Sequence, residues 1–398
     1  MIGVNEARKI IQTHTSRTRP VIMSLLDASG CVLAEDVISN IDSPPFDQSA
    51  MDGYAVAFDT LKKIQDIEVK DEIQAGSTGE KILYENSAAR IFTGAPIPEG
   101  ADTVIMQELT SRNGSYIQIS DEKIFKGQHI RFKASQIAKG EVAAQAGTRI
   151  TPGVAGYLAG LGISDVAVYP APRIGIIVTG KELVFPGTSL LHGQIYESNA
   201  VTLTSALLEG RMEPILTLFS DDNPDSLLQC INKAISVCDI LLITGGISAG
   251  DYDFVQPVLE KIGVEKLLYK IKQKPGKPLY VGKHESSIIF GLPGNPAAAL
   301  TCFYEYVVPC IRQMTGLPAM PPFVVYMPIG ESIDKKPGLT HFLKAQIQNN
   351  KVKAMKSQES YQLSAFTQSD CFIVLEEEQT HIEEGTIVPV HRFYDCWT

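Results

Sequence analysis

Ile174-Gly175-Ile176-Ile177-Val178-Thr179-Gly180 is a fully apolar run that ends in a glycine turn. A strand with one wet face alternates apolar and polar residues. This run does not, so both its faces are covered, as in a parallel sheet. The pattern continues downstream. The spacing predicts a helix over 199–209 stopped by Gly210, a strand over 215–219 and a helix over 225–237. Next come a strand over 240–244 ending in Gly245-Gly246, a helix over 254–262, strands over 267–271, 279–281 and 288–290, and a last helix opening at Asn295-Pro296. Apolar strands alternating with helices predict a mostly parallel α/β sandwich domain over 171–318. Such sheets bind ligands at the carboxyl ends of their strands.

The flanks read differently. Asn5-Glu6 ahead of Ile10-Ile11 predicts a first helix capped by Asn5. Short β segments at 67–69, 89–92, 103–107 and 116–119, separated by glycines, predict an inserted β-rich module over 46–140. Thr151 as cap and Pro152 at the first helical position open a helix that ends near Gly162. Residues 1–45 and 141–170 then form a discontinuous, mixed N-terminal domain. After Pro318, alternating strands such as 342–347 and 371–375 predict a small C-terminal β-barrel over 319–398. The fold class is thus α/β plus β, in several domains.

The 398 residues carry a net charge of −10, which disfavours nucleic acid and anionic membranes as partners. No apolar run approaches the ~18 residues of a membrane-spanning helix. The first residues carry Glu6, Arg8 and Lys9, unlike a secretory signal. Seven cysteines without a Cys-x-x-Cys pair predict reduced thiols and a cytoplasmic location. The seven histidines show no zinc spacing.

Chemistry concentrates at three strand ends of the α/β domain. Thr179-Gly180-Lys181-Glu182 is the first. Thr244-Gly245-Gly246-Ile247-Ser248-Ala249-Gly250-Asp251-Tyr252-Asp253 is the second. Gly245 and Gly246 allow the backbone to approach a ligand, Ser248 adds a hydroxyl, and Asp251 and Asp253 offer hard oxygens for Mg²⁺. The third is Gly291-Leu292-Pro293-Gly294-Asn295-Pro296, where Asn295 caps a helix whose free N–H groups can face an anion. Glu182 and the pair Asp221-Asp222 lie at neighbouring strand ends. A lysine run without acids, including Lys266, Lys270, Lys272, Lys274, Lys277 and Lys283, suggests a multiply anionic small ligand. If it is a strand, Lys270, Lys272 and Lys274 share one face. Asp52 lies in a turn, Ser49-Ala50-Met51-Asp52-Gly53. Neither a nucleophile triad nor a Walker-type loop is present.

Phe46-Asp47-Gln48-Ser49-Ala50-Met51-Asp52-Gly53-Tyr54-Ala55 resembles the signature of the MoeA/gephyrin E-domain family, the molybdopterin molybdenumtransferases. Further matches in the family's order are Thr93–Pro98, Thr179–Leu183, Gly193–Asn199, Thr244–Asp253, Lys274–Pro278 and Gly291–Pro296. The resemblance implies an elongated homodimer of four-domain chains, with the β-rich module reaching the partner's α/β domain. It implies a reaction that inserts molybdate into adenylated molybdopterin with Mg²⁺-dependent release of AMP, downstream of a molybdopterin adenylyltransferase. Carried over by motif position, Asp52, Thr93, Glu182, Asp222, Asp253, Lys270, Lys274, Pro293, Pro296 and Ser360 are the implied functional residues, with Asp221 retained beside Asp222. Two departures stand out. Ala134-Ser135-Gln136 replaces the family's usual Gly-Glu-Asp, and Lys344 replaces a common arginine, keeping the charge but not the bidentate fork. A related adenylyltransferase and a non-catalytic dimeric scaffold are the competing readings.

Overall fold

The computed structural model describes residues 1–120, 123–247, 254–319, 324–393 and 397. It divides into two compact units, Met1–Val21 with Tyr169–Thr398, and Ile22–Val168.

The first unit is built on a six-stranded sheet in the order Leu216–Ser220, Ile174–Thr179, Ile240–Thr244, Ser287–Leu292, Tyr280–His284 and Glu265–Tyr269. The first four strands are parallel, and Tyr280–His284 pairs antiparallel with both of its neighbours. The antiparallel end follows from the two-residue link between His284 and Ser287, which is far too short for a parallel crossover. Every residue of Ile174–Thr179, Ile240–Thr244 and Ser287–Leu292 is buried, as their unbroken apolar pattern requires. Ile174, Ile176 and Val178 face one core with Leu203 and Leu207, while Ile177 faces the other with Leu227, Ile231, Val258 and Leu259. Helices Asn199–Glu209, Pro224–Ile235 and Val255–Lys261 all form where expected.

Two expectations in this unit change. Helix Val4–His14 begins after Gly3, and Asn5 is not its cap. Its buried Val4, Ala7 and Ile11 belong to the α/β core rather than to the N-terminal domain assigned to residues 1–45. An amphipathic helix shows which of its faces is buried but not which core receives it. The last helix runs from Pro296 to Met314 and widens to π geometry over Phe303–Val307. The bulge buries Glu305 completely, between Arg8 Nη2 at 2.5 Å and His391 Nδ1 at 2.9 Å.

The C-terminal strands form a sheet in the order Gln273–Lys274, Thr340–Gln348, Cys371–Leu375, Ile387–Arg392 and Val324–Pro328, with Lys351–Ala354 on Thr340–Gln348. The Val352 backbone of Lys351–Ala354 also bridges to Ile329, just past Val324–Pro328, and its carbonyl accepts from the Gly330 N–H at 2.7 Å, so the strands close on themselves as the expected small barrel, with a separate ribbon, Ile333–Asp334 with His381–Ile382. Phe342, Phe372 and Phe393 join the α/β core. The boundary at 318 therefore divides chain segments but not hydrophobic cores.

The second unit holds a six-stranded sheet in the order Thr103–Met106, Gly53–Val56, Ser87–Ile91, Asp66–Ile73, Tyr116–Ile119 and Thr110–Asn113. It also holds a three-stranded sheet in which Asp165–Tyr169 lies between Val21–Ser24 and Val32–Leu33. Helix Pro152–Gly160 is capped by Thr151, whose hydroxyl accepts from the Val154 N–H at 3.3 Å. Among the described residues no helix is long and apolar enough to cross a membrane, and the six described cysteines are free.

Candidate active site

Three turns meet at the carboxyl ends of the parallel strands in the first unit. Gly245 and Gly246 sit at φ +87° and +59°, a region that L side chains avoid. A Cβ on Gly245 would lie 2.6 Å from Thr179 Oγ1 and 2.7 Å from the Thr179 carbonyl, so only glycine fits. Thr179 donates its hydroxyl to the Thr244 carbonyl at 3.2 Å. Tyr269 holds the far side of this turn, donating to the Ile247 carbonyl at 2.9 Å. Ser248, Asp251 and Asp253, predicted from the same stretch, lie outside the described residues.

Asp221 and Asp222 line a small cavity with Thr179 and Gly246. Asp222 Oδ2 accepts from the Lys181 N–H at 3.3 Å, which links the first and second strand ends of the sheet. Asn223 caps the next helix, accepting from the Asp225 N–H at 2.8 Å. Glu182 is exposed beside the Gly180 turn. Among the described residues, no three acidic, histidine or cysteine side chains gather into a ready metal cage.

The Gly291–Pro296 turn behaves differently from its sequence reading. Asn295 makes no side-chain cap. Its Nδ2 donates instead to Ser360 Oγ at 2.7 Å, while the Ser360 carbonyl takes the Ala298 N–H at 3.1 Å. One helix N–H expected to face a ligand is thus already used, and Ser360 occupies the helix start. Pro293 is buried and Pro296 opens the helix. The backbone of Gly294 is held by Asn199 Nδ2, which donates to its carbonyl at 2.9 Å.

The lysine run is not one strand face. The strand ends at Tyr269, and Lys270 has a left-handed φ of +64°, which breaks the alternation. Lys270 Nζ lies 4.8 Å from the centre of the Tyr269 ring. Lys272 turns to Glu377 at 2.7 Å and is neutralised there. Lys274 and Lys277 remain exposed. Lys274 pairs along the backbone with His341. Burial, then Lys335 and Lys274, push the His341 imidazole down to about 4.

In the second unit, Asp52 and Thr93 form a tight pair. Asp52 Oδ1 accepts from the Thr93 N–H at 2.7 Å and from its hydroxyl at 2.8 Å. These bonds, with Arg90 nearby, hold the carboxyl below the usual aspartate range. Gly53 is obligatory here, since a Cβ would come within 1.9 Å of the Ile105 carbonyl oxygen. Arg90 is held between the Tyr54 and Phe92 rings, 5.0 Å from each centre.

The chain matches three family models along its length: the MoeA N-terminal region (domain I and II) over 2–162, a probable molybdopterin binding domain over 175–313, and the MoeA C-terminal region (domain IV) over 326–393. A molybdopterin molybdenumtransferase of Haemophilus influenzae is 36% identical over 99% of both chains. One from Bacillus subtilis is 32% identical over 98% of this chain and 93% of its own length. The chain belongs to the MoeA family. Two crystal structures of MoeA proteins from Pyrococcus horikoshii superpose with TM-scores of 0.85 and 0.81, at 29% and 28% identity, over 99% and 98% of this chain and 99% of each of theirs. This MoeA-family chain is an enzyme of molybdenum cofactor biosynthesis.

Sequence reasoning singled out the stretches holding Thr179 and Asn199 but not the part these two side chains play in holding the site's turns. Asn199 closes the Gly193–Asn199 motif, and that membership was the available signal. Its Oδ1 and Thr244 Oγ1 are buried without a partner among the described residues. At the 134–136 departure, an alanine stands in a backbone conformation that suits the family's usual glycine. Ala134 stands at φ +60°, and Gln136 accepts from the Ser43 hydroxyl at 3.2 Å.

Proposed function

We propose that the chain is a molybdopterin molybdenumtransferase, inserting molybdate into adenylated molybdopterin with release of AMP. The observation that carries this reading is the seating of Ser360 on the helix start at Asn295, beside the Gly245-Gly246 turn. A Cβ on Gly294 would approach Gly245 Cα to 3.6 Å, so the two glycine turns are adjacent. Backbone glycine, a hydroxyl and the exposed Lys274 and Lys277 make a place for phosphate or molybdate oxygens. Fixed positive groups stabilise charge that grows on the phosphate as the AMP bond breaks.

Mg²⁺ fits the donor chemistry at the neighbouring strand ends. A magnesium ion is commonly held by one or two carboxylates while phosphate oxygens and water complete its shell. Asp222, with Asp221 and Glu182, would supply hard oxygens, and Asp251 and Asp253 are the sequence-derived candidates in the following segment. When bound, Mg²⁺ neutralises phosphate charge. We further propose a cytoplasmic homodimer, fed by a molybdopterin adenylyltransferase.

The test is AMP release from adenylated molybdopterin, with molybdate and Mg²⁺ added or withheld. Release that requires both is the expected result. No release under any condition indicates the scaffold reading, and ATP consumption with free molybdopterin indicates an adenylyltransferase. Light scattering near 43.3 kDa would exclude the dimer.

A further inference from the structure

Lys344 lies in the middle of strand Thr340–Gln348 and is only 1% exposed. Its Nζ donates to the Glu359 carbonyl at 3.1 Å and to the Gln362 carbonyl at 3.2 Å, with the Phe366 ring centre at 5.8 Å. Its own main chain is clamped to the same bend. The Lys344 N–H donates to Gln358 Oε1 at 3.0 Å, and its carbonyl accepts from Gln358 Nε2 at 2.8 Å. The carbonyl also accepts from the Met355 N–H at 2.8 Å. Gln362 Oε1 takes the Glu359 N–H at 3.3 Å. The bend at 359–362 is therefore wrapped around one ammonium group.

Ser360 sits between the two carbonyls that Lys344 holds. Its Oγ accepts from Asn295 and its carbonyl from Ala298. Because Oγ already accepts a hydrogen bond, its own proton is available to an outside acceptor. A lysine so fully covered cannot touch that acceptor unless the bend opens. Burying an ammonium costs desolvation that an apolar side chain of similar length would avoid, and here burial outweighs the nearby Glu359 charge and lowers the lysine's proton affinity. That cost is explained if the lysine fixes something that matters.

We propose that Lys344 is a positioning residue for the anion subsite: it holds the 359–362 bend so that the Ser360 hydroxyl points outward from the helix start at Asn295. The inference rests on the reading of that helix start as an oxyanion-binding place.

The full-length protein carries the test. Amide hydrogen exchange is measured without ligand for wild type, Lys344→Met and Lys344→Arg. Molybdate is then titrated into wild type, Lys344→Met, Ser360→Ala and the double variant. The expected result is at least about tenfold faster exchange over 355–363 in Lys344→Met, with protection restored in Lys344→Arg, which keeps the donors. Molybdate binding should weaken roughly tenfold in each single variant, and the double variant should be no weaker than the worse single one. Unchanged exchange over 355–363 overturns the proposal. So does a double variant whose loss is the product of the two single losses, since Lys344 would then act on the anion independently of Ser360. If wild type binds no molybdate, the subsite reading fails, and the exchange comparison alone decides whether Lys344 holds the bend. If Lys344→Met does not fold, Lys344→Gln, whose neutral and shorter side chain keeps an amide donor group but loses the charge, takes its place.

Discussion

Asn295 and Ser360 are 65 positions apart, yet the side-chain amide of one donates to the hydroxyl of the other at 2.7 Å. This bond replaces the local cap that Asn295 could have made. Asn295→Ala should therefore cost less than about 0.5 kcal/mol in thermal or chemical unfolding, rather than the ~1 kcal/mol of a lost N-cap. Its effect should appear in molybdate affinity instead. An unfolding cost of a full cap with unchanged affinity would restore the capping role.

Lys272 and Lys274 are next-but-one neighbours with different tasks. Lys272 is committed to Glu377, whereas Lys274 is exposed. Lys274→Ala should weaken molybdate or adenylated molybdopterin roughly tenfold, with unfolding changed by no more than about 0.5 kcal/mol. Lys272→Ala should leave both affinities alone. Parallel titrations and melts of the two variants decide it, and equal effects on binding would return the lysines to a single ridge.

Thr93 gives Asp52 two hydrogen bonds, from its N–H and its hydroxyl. Thr93→Val removes only the second. The Asp52 carboxyl should titrate below ~3.9 in wild type and move upward, without reaching that value, in the variant. Carboxyl-detected NMR over an acid titration reads both midpoints. An unmoved midpoint would mean that the hydroxyl does not act on the carboxylate.

His341 gives stability a pH dependence of defined sign. In the folded chain its imidazole takes a proton only near pH 4, whereas an unfolded histidine takes one near 6.5. Between those values the unfolded chain binds more protons, so stability falls as the pH drops from about 6.5 towards 4. His341→Gln should flatten this fall. Urea unfolding of both proteins at pH 7.5, 6 and 5 makes the comparison, and identical slopes would remove His341 as the cause.

Ala134 pays for a backbone conformation that suits glycine. Ala134→Gly should raise stability by about 1 kcal/mol, because the left-handed region penalises a Cβ. A loss of stability on that change would show that the alanine methyl packs better than its backbone suffers.

The strands at 174–179, 240–244 and 287–292 were legible because a fully buried strand leaves an unbroken apolar run. The glycines at 245 and 246 were legible for a related reason, since their φ values admit little else. The lysine face was not, because alternation holds only while the backbone stays extended and Lys270 leaves it. The seat of Ser360 on Asn295 was invisible to any local pattern. The burial of Lys344 was equally hidden: a lysine in a strand reads as a surface residue, and only the tertiary bend at 359–362 shows otherwise.

Glu305 in its π-bulge has a practical consequence for dissecting the protein. A fragment cut at 175 and 313 would retain the parallel sheet but lose Arg8 and His391, the two side chains that meet this carboxylate. It would also lose the apolar cover of Val4, Ala7 and Ile11. An orphaned buried charge costs about 3–5 kcal/mol, comparable to the whole stability margin of many domains. Anyone expressing the central domain alone should expect aggregates, unless residues 1–21 and the strand Ile387–Arg392 travel with it or Glu305 is exchanged for leucine.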